Sequence, residues 1–376
     1  MQDIKMVDLH GQYLKIKDEV DSAIAQVIDT TSFINGPKVK EFTEHLKEYL
    51  QVNYVIPCGN GTDALQLALM SLDLEPGDEV IVPAFTYVAT AEVIGLLKLT
   101  PVLVDVDPEN FNIKPEDIEK AVGPRTRAVV PVHLFGQAAS MEEILKIAKK
   151  YKLYVIEDNA QAIGADYIFA DGNRKKTGTI AHIGCTSFFP SKNLGCYGDG
   201  GAVFTNDPAL GEKLRMLANH GQEKKYIHKY IGVNSRLDTI QAAVLDVKLK
   251  YLDQYGQARY NAAQKYSAAL ASVEQVITPK EMPYSTHVYH QYTIVVKDGK
   301  RDELKQFLND SGIPANIYYP LPLNEQEAFK SISKTPLPLD NTYKLCDSVL
   351  SLPMHTELTD EQITFITDKI KEFFKN

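Results

Sequence analysis

Residues 54–72, YVIPCGNGTDALQLALMSL, decide the architecture. Tyr54 to Cys58 form a short apolar run, of the kind buried on both faces of a sheet, and Gly59 and Gly61 follow at once. From Asp63 the pattern changes to that of a helix. A buried strand that runs through glycines straight into a helix is the repeating unit of an α/β fold. The backbone N–H groups of Gly59, Asn60, Gly61 and Thr62 stand at the start of that helix, where the dipole and the free donors suit a phosphate. Thr62 also carries the right side chain to cap the helix.

Moving outward, the same unit recurs as far as about residue 206. EVIVPAF (79–85), PVLVDV (101–106), RAVVPVHLF (127–135), KLYVIED (152–158), CTSFFP (185–190) and GAVFTN (201–206) read as further strands, rich in Val and Ile. MEEILKIAKKYK (141–152) reads as one of the helices between them. From Ser235 the texture differs. Residues 236–270 read as long helix with a break near Tyr255 and Gly256, YHQYTIVVK (289–297) as a strand, and DELKQFLNDSG (302–312) as a helix closed by Gly312. A Pro-rich loop, YYPLPLNEQ, leads to a last helix over 359–374 with Asp360 and Glu361 in its first turn. The expectation is a large domain with a mostly parallel sheet over residues 1–245 and a smaller α+β domain over 246–376.

Composition narrows the function classes. The chain has 376 residues, 44% hydrophobic and 24% charged, with a formal net charge of -9. An acidic chain without clustered Lys and Arg does not attract nucleic acid or an anionic membrane. Its N-terminus lacks the apolar run of a signal peptide, and no stretch is long enough to span a bilayer, so the expected location is cytoplasmic. Four cysteines form no CxxC pair, and Cys58, Cys185 and Cys346 sit among apolar residues, so reduced buried thiols are expected. The nine histidines are scattered without metal-ligand spacing, so no metal is expected. His133, His220, Tyr54, Tyr289 and Tyr292 read as structural.

Three positions point to chemistry. In SFFPSKNLGCYGDGGA (187–202), Lys192 follows a buried strand inside a Gly-rich turn, where burial lowers the pKa of an amine and makes it a nucleophile. Asp158 ends the strand KLYVIED, where ligands of open α/β sheets gather. A carboxylate there can pair with the protonated pyridine nitrogen of pyridoxal phosphate, although alone it would read as a helix cap. The third is the glycine junction at 59–62. Gly59, Gly61 and Ala64 also satisfy G-x-G-x-x-A, with Glu79 twenty residues on, as in a dinucleotide fingerprint. That reading fails on geometry, because Glu79 begins its strand instead of ending it.

Together with FINGPKVKEFTEHL, PAFTYVATAEVI, VHLFGQ, EDNAQAIGA, NHGQ, GVNSRLDTIQAA and SLPMH, these motifs resemble the DegT/DnrJ/EryC1/StrS family of sugar aminotransferases along nearly the whole chain. The resemblance implies a fold type I enzyme dependent on pyridoxal 5'-phosphate. It implies that Lys192 holds the cofactor as a Schiff base and moves the proton, Asp158 meets the ring nitrogen, Gln161 stands near the phenolic oxygen, and Tyr87 stacks on the ring. Gly61, Thr62 and Ser187 would contact the phosphate, joined by Asn234 from a second subunit, which implies a homodimer with shared sites. Relatives that dehydrate sugars carry histidine in place of the lysine; the lysine here favours transamination, with L-glutamate as donor and a nucleotide-linked keto-sugar as acceptor.

Several segments are closest to enzymes that aminate C3 of UDP-2-acetamido-2-deoxy-3-oxo-glucuronate for lipopolysaccharide O-antigen or related surface polysaccharide. By that similarity Thr31, Phe33, Ser191, Arg236 of the second subunit, Tyr318 and Tyr319 would touch the substrate. Such relatives have histidine at 318 and a small residue at 31, and the loop YIFADGNRKKTGT is longer and more basic than theirs. A dTDP-linked 3-keto or 4-keto deoxysugar therefore stays open. So do a lyase or dehydratase using the same cofactor and a regulatory protein of the same fold.

Overall fold

A computed structural model describes residues 4–375. Its centre is a seven-stranded sheet made of β1 (Tyr54–Cys58), β2 (Glu79–Pro83), β3 (Thr100–Val104), β4 (Thr126–Val129), β5 (Tyr154–Asp158), β6 (Ile183–Ser187) and β7 (Gly201–Thr205). The order across the sheet is β1-β7-β6-β5-β4-β2-β3. Every neighbouring pair is parallel except the two made by β7, which runs antiparallel to both β1 and β6. All seven apolar runs read from the sequence are strands of this sheet. They are buried because helices cover both faces: Ala64, Leu65 and Leu67 from the helix Gly61–Met70 pack on one side, Met141, Ile144 and Ala148 from the helix Met141–Tyr151 on the other.

Parallel strands put their carboxyl ends on one edge of a sheet, and loops at that edge form the usual ligand crevice. Here that edge carries Gly59 after β1, Phe85 to Tyr87 after β2, Asp158 at the end of β5 and Ser187 at the end of β6. Glu79 begins β2 at the opposite edge, where it takes an ion pair from Lys334 (2.6 Å) and a hydrogen bond from Thr126 (3.1 Å). It cannot serve a ribose, so the G-x-G-x-x-A pattern at 59–64 has no dinucleotide partner there.

A second, antiparallel sheet joins Val276–Ile277, Tyr292–Val296 and Val349–Leu352. The helices Leu252–Leu270, Arg301–Asp310 and Asp360–Lys375 pack on it around Tyr266, Tyr292 and Ile366. The long helical stretch breaks at Lys250–Tyr251, between Thr239–Leu249 and Leu252–Leu270. Tyr255 and Gly256 lie inside the second helix, so the break expected there is displaced by one turn: Tyr255 packs buried, and a glycine alone does not stop a helix. Residues 245 and 246 lie within Thr239–Leu249, whose Ala242 and Leu245 belong to the core beneath β7. Gly312 closes the helix Arg301–Asp310 with a left-handed φ of 76°. All four cysteines are free and buried. No helix among the described residues is long and apolar enough to cross a membrane.

Candidate active site

Lys192 sits on a loop closed by short-range bonds after β6. Its own N–H donates to the Phe189 carbonyl (2.8 Å), and Cys196 N–H donates to the Phe188 carbonyl (2.8 Å). A Cβ at Gly195 would meet the Pro190 carbonyl oxygen at 2.3 Å, so the turn demands glycine. The side chain is partly accessible, and its amine forms no hydrogen bond or ion pair among the described residues. Burial pulls the Lys192 pKa down to about 8, while the Asp158 carboxylate, close enough to act on it, pulls the other way.

Asp158 is buried and held at both oxygens. Thr90 Oγ1 donates to Oδ2 (2.7 Å) and Ala160 N–H to Oδ1 (3.1 Å). The segment after it forms turns instead of a helix, so it does not act as a helix cap. Gln161 is clasped as well: Phe135 N–H donates to its Oε1 (2.8 Å), and its Nε2 donates to the Tyr319 hydroxyl (3.2 Å). Thus Tyr319, expected among substrate contacts, fixes Gln161. Phe85 packs edge-on against its ring at 6.0 Å. Tyr87 lies 6.3 Å from the Tyr319 centroid and is 57% exposed, an open aromatic face beside the crevice.

At the glycine junction the helix cap is Asn60, not Thr62. Asn60 Oδ1 accepts the Asp63 N–H (2.8 Å) and its carbonyl accepts the Ala64 N–H (3.1 Å). Asn60 stands in the cap position, just before the first helical residue, from which its side-chain oxygen reaches the third amide; Thr62 already lies inside the helix. The Gly61 and Thr62 amides are left without acceptors among the described residues. Ser187 stands directly across: a Cβ on Gly61 would lie 2.6 Å from the Ser187 Cβ. Two free amides, a helix N-terminus and a hydroxyl meet here, a donor set suited to a phosphate.

Asn234, exposed, and Arg236, half-exposed, make no hydrogen bond to Lys192, Asp158, Gln161 or Tyr319 among the described residues. Their strand-like segment ends near the same junction, because Gly59 N–H donates to Ser235 Oγ (2.9 Å) and Ser235 Oγ donates to Asp63. Thr31 ends the helix Lys17–Thr30 in a left-handed turn, and Phe33 presents an exposed ring. The Phe33 carbonyl accepts the Thr239 N–H (3.0 Å), which ties this segment beside Arg236. Ser191 flanks Lys192, and Tyr318 accepts a hydrogen bond from Asn316 Nδ2 (3.2 Å). Sequence reasoning missed Thr90, Phe135 and Ser235, since each acts through a partner distant in sequence. His133, read as structural, is fully buried and bonded to Glu157 (2.9 Å).

The residues fit pyridoxal phosphate: an unpaired amine near a fixed carboxylate, a donor set suited to a phosphate at the same edge and an aromatic face alongside. A mostly parallel sheet with this site defines a fold type I, pyridoxal-phosphate-dependent aminotransferase. Residues 14–371 match the DegT/DnrJ/EryC1/StrS aminotransferase family. A pleiotropic regulatory protein of Geobacillus stearothermophilus is 44% identical over 99% of both chains. The UDP-2-acetamido-2-deoxy-3-oxo-D-glucuronate aminotransferase of Pseudomonas aeruginosa is 44% identical over 96% of this chain and 98% of its own. The dTDP-3-amino-3,4,6-trideoxy-alpha-D-glucose transaminase of Streptomyces venezuelae is 38% identical over 98% and 96%. A crystal structure of a DegT DnrJ EryC1 StrS aminotransferase from Brucella abortus superposes with a TM-score of 0.94 at 42% identity, covering 99% of this chain and 100% of that one. The chain belongs to the DegT/DnrJ/EryC1/StrS aminotransferase family and is a sugar aminotransferase.

Proposed function

We propose that the protein transfers the amino group of L-glutamate to the C3 ketone of UDP-2-acetamido-2-deoxy-3-oxo-glucuronate, for a surface polysaccharide. The observation that carries the chemistry is an unpaired Lys192 amine within reach of the Asp158 charge at the carboxyl edge of one sheet, with the free Gly61 and Thr62 amides at the same edge. Pyridoxal phosphate, when bound, would supply an electron sink for amino transfer. Lys192, with its pKa near 8, can take and return a proton at neutral pH. Asp158, fixed by Thr90 and Ala160, has lone pairs left that would meet the ring N–H. Gln161 would meet the phenolic side and Tyr87 would cover a ring face. Gly61, Thr62 and Ser187 would hold the phosphate, joined by Asn234 of a second subunit.

On the sugar side, Thr31, Phe33, Ser191, Tyr318 and Tyr319 would contact the acceptor, and Arg236 of the second subunit would clamp a carboxylate or phosphate bidentately. Incubating the holoenzyme with glutamate should convert the cofactor to its pyridoxamine form and release 2-oxoglutarate. Mass spectrometry of products from a panel of UDP- and dTDP-keto-sugars then identifies the acceptor. The tyrosine at 318 and threonine at 31 favour a second reading, a dTDP-linked 3-keto or 4-keto deoxysugar. Amination of only the dTDP substrates would establish it. No 2-oxoglutarate release would overturn amino transfer altogether.

A further inference from the structure

Gln161, buried three residues beyond the end of β5, has its amide pinned at both ends. The Phe135 N–H donates to Oε1 (2.8 Å), and Nε2 donates to the Tyr319 hydroxyl (3.2 Å). One hydrogen bond leaves an amide free to pivot about it. Two at opposite ends fix its plane. Nε2 carries two hydrogens, and the second meets no acceptor among the described residues.

Both anchors are held firmly in turn. Phe135 presents its N–H with a left-handed φ of 57°, a conformation that is costly for an aromatic residue and persists only where the surroundings fix it. The Tyr319 ring packs among other aromatics, with Phe85 edge-on at 6.0 Å, Tyr318 at 6.0 Å and Tyr87 at 6.3 Å. That packing leaves its hydroxyl little freedom to move away from Gln161. Burial pushes the Tyr319 pKa well up, and the Asp158 charge, near enough to act on the same hydroxyl, adds to it against the bond from Gln161. The phenol therefore stays protonated and meets the amide as a neutral acceptor.

We propose that Tyr319 is a positioning residue for the cofactor: it fixes the plane of the Gln161 amide so that the free N–H is presented to the phenolic oxygen of pyridoxal phosphate. This role rests on the placement of Gln161 at the phenolic side, and it is separate from any contact between Tyr319 and the sugar. A neutral donor at that oxygen favours its negative charge and loosens its hold on the proton it shares with the Lys192 nitrogen. The proton then leaves at lower pH. In holoenzyme, a pH titration of the cofactor's visible absorbance reads that release. With no sugar present, loss of a sugar contact cannot move it. Tyr319→Phe keeps the ring and removes only the hydroxyl; its midpoint should lie about half a pH unit or more above wild type. Gln161→Ala should raise the midpoint at least as far. Adding Tyr319→Phe to Gln161→Ala should raise it no further, because the hydroxyl acts through the amide. A midpoint that moves in Gln161→Ala and not in Tyr319→Phe would overturn the positioning role and leave Gln161 at the phenolic side. An unmoved midpoint in Gln161→Ala would overturn that placement and the proposal together. Shifts that add in the double variant would mean that the hydroxyl acts on the cofactor directly, which also overturns it.

Discussion

At the residue scale, the amine of Lys192 is the group whose state matters most. Its pKa of about 8 means that the uncharged form, the nucleophile, gains population across the neutral range, whereas an ordinary lysine at 10.5 would hold almost none. In cofactor-free enzyme, the rate of Lys192 modification by an amine-selective reagent should follow a titration centred near pH 8. Burial is the larger cause and the Asp158 charge opposes it, so Asp158→Asn should move that midpoint lower still. A midpoint unchanged in the variant would mean the carboxylate does not act on the amine. With pyridoxal phosphate and borohydride, mass spectrometry should find the reduced cofactor on the peptide containing Lys192 and on no peptide of Lys192→Ala. The placement of Asp158 at the end of β5 and of Lys192 on the loop just after β6 was legible in the sequence, because each lies inside a distinctive motif. The clasp on Gln161 was not, since Phe135 and Tyr319 come to it from 26 and 158 residues away. The cap was misplaced at Thr62 for a local reason: Asn60 and Thr62 both suit a helix start, and only backbone geometry chooses between them.

At the scale of elements, β5 shows how one strand serves two ends. Successive side chains point to opposite faces, so Glu157 and Asp158 diverge. Asp158 faces the crevice, while Glu157, fully buried, accepts the N–H groups of Gly178 (2.8 Å), Ile180 (2.7 Å) and Ala181 (2.7 Å) and pairs with His133. This carboxylate fixes the turn that leads into β6, and β6 delivers Ser187 and then Lys192. Gly184 in β6 lies against the same turn: a Cβ there would stand 1.8 Å from the Gly178 carbonyl oxygen. Backbone blocks backbone, so Gly184→Ala should destabilise the protein by about 3 kcal/mol, the upper end for overpacking. Gly172, at a φ of 85° with nothing near its Cβ position, is the contrast. Gly172→Ala should cost only about 1 kcal/mol from the left-handed backbone. Urea unfolding of both variants checks the difference; equal losses would mean the turn moves aside freely. The strands themselves were legible because parallel strands buried on both faces are continuous apolar runs. Helix ends at Lys250–Tyr251 were not, because no proline or capping residue marks them.

At the scale of the whole molecule, the family resemblance and the geometry of one chain meet on a single question. Thr31, Phe33, Asn234 and Arg236 cluster around the start of the helix Thr239–Leu249, with exposed side chains at Thr31, Phe33 and Asn234 and a half-exposed Arg236, and none bonds to the Lys192 crevice. A two-fold dimer would resolve this if the face of one subunit completed the crevice of the other. Complementation distinguishes that arrangement from a site held within one chain. Lys192→Ala and Arg236→Ala should each be nearly inactive, the first for want of the amine and the second for want of a grip on the acceptor. In a mixed dimer one site would be doubly defective. The other would combine Lys192 from the Arg236→Ala subunit with Arg236 from the Lys192→Ala subunit, and so be intact. After random subunit exchange half the dimers are mixed and each has one working site, so activity should return to about a quarter of wild type. If Arg236 served the lysine of its own chain, every site in the mixture would lack one group and exchange would restore nothing. Glutamate-dependent turnover of the keto-sugar, measured after the two variants are mixed, dissociated in mild urea and reassembled, decides between them. The glutamate half-reaction of Arg236→Ala alone should persist, because that step needs the amine and not the sugar clamp.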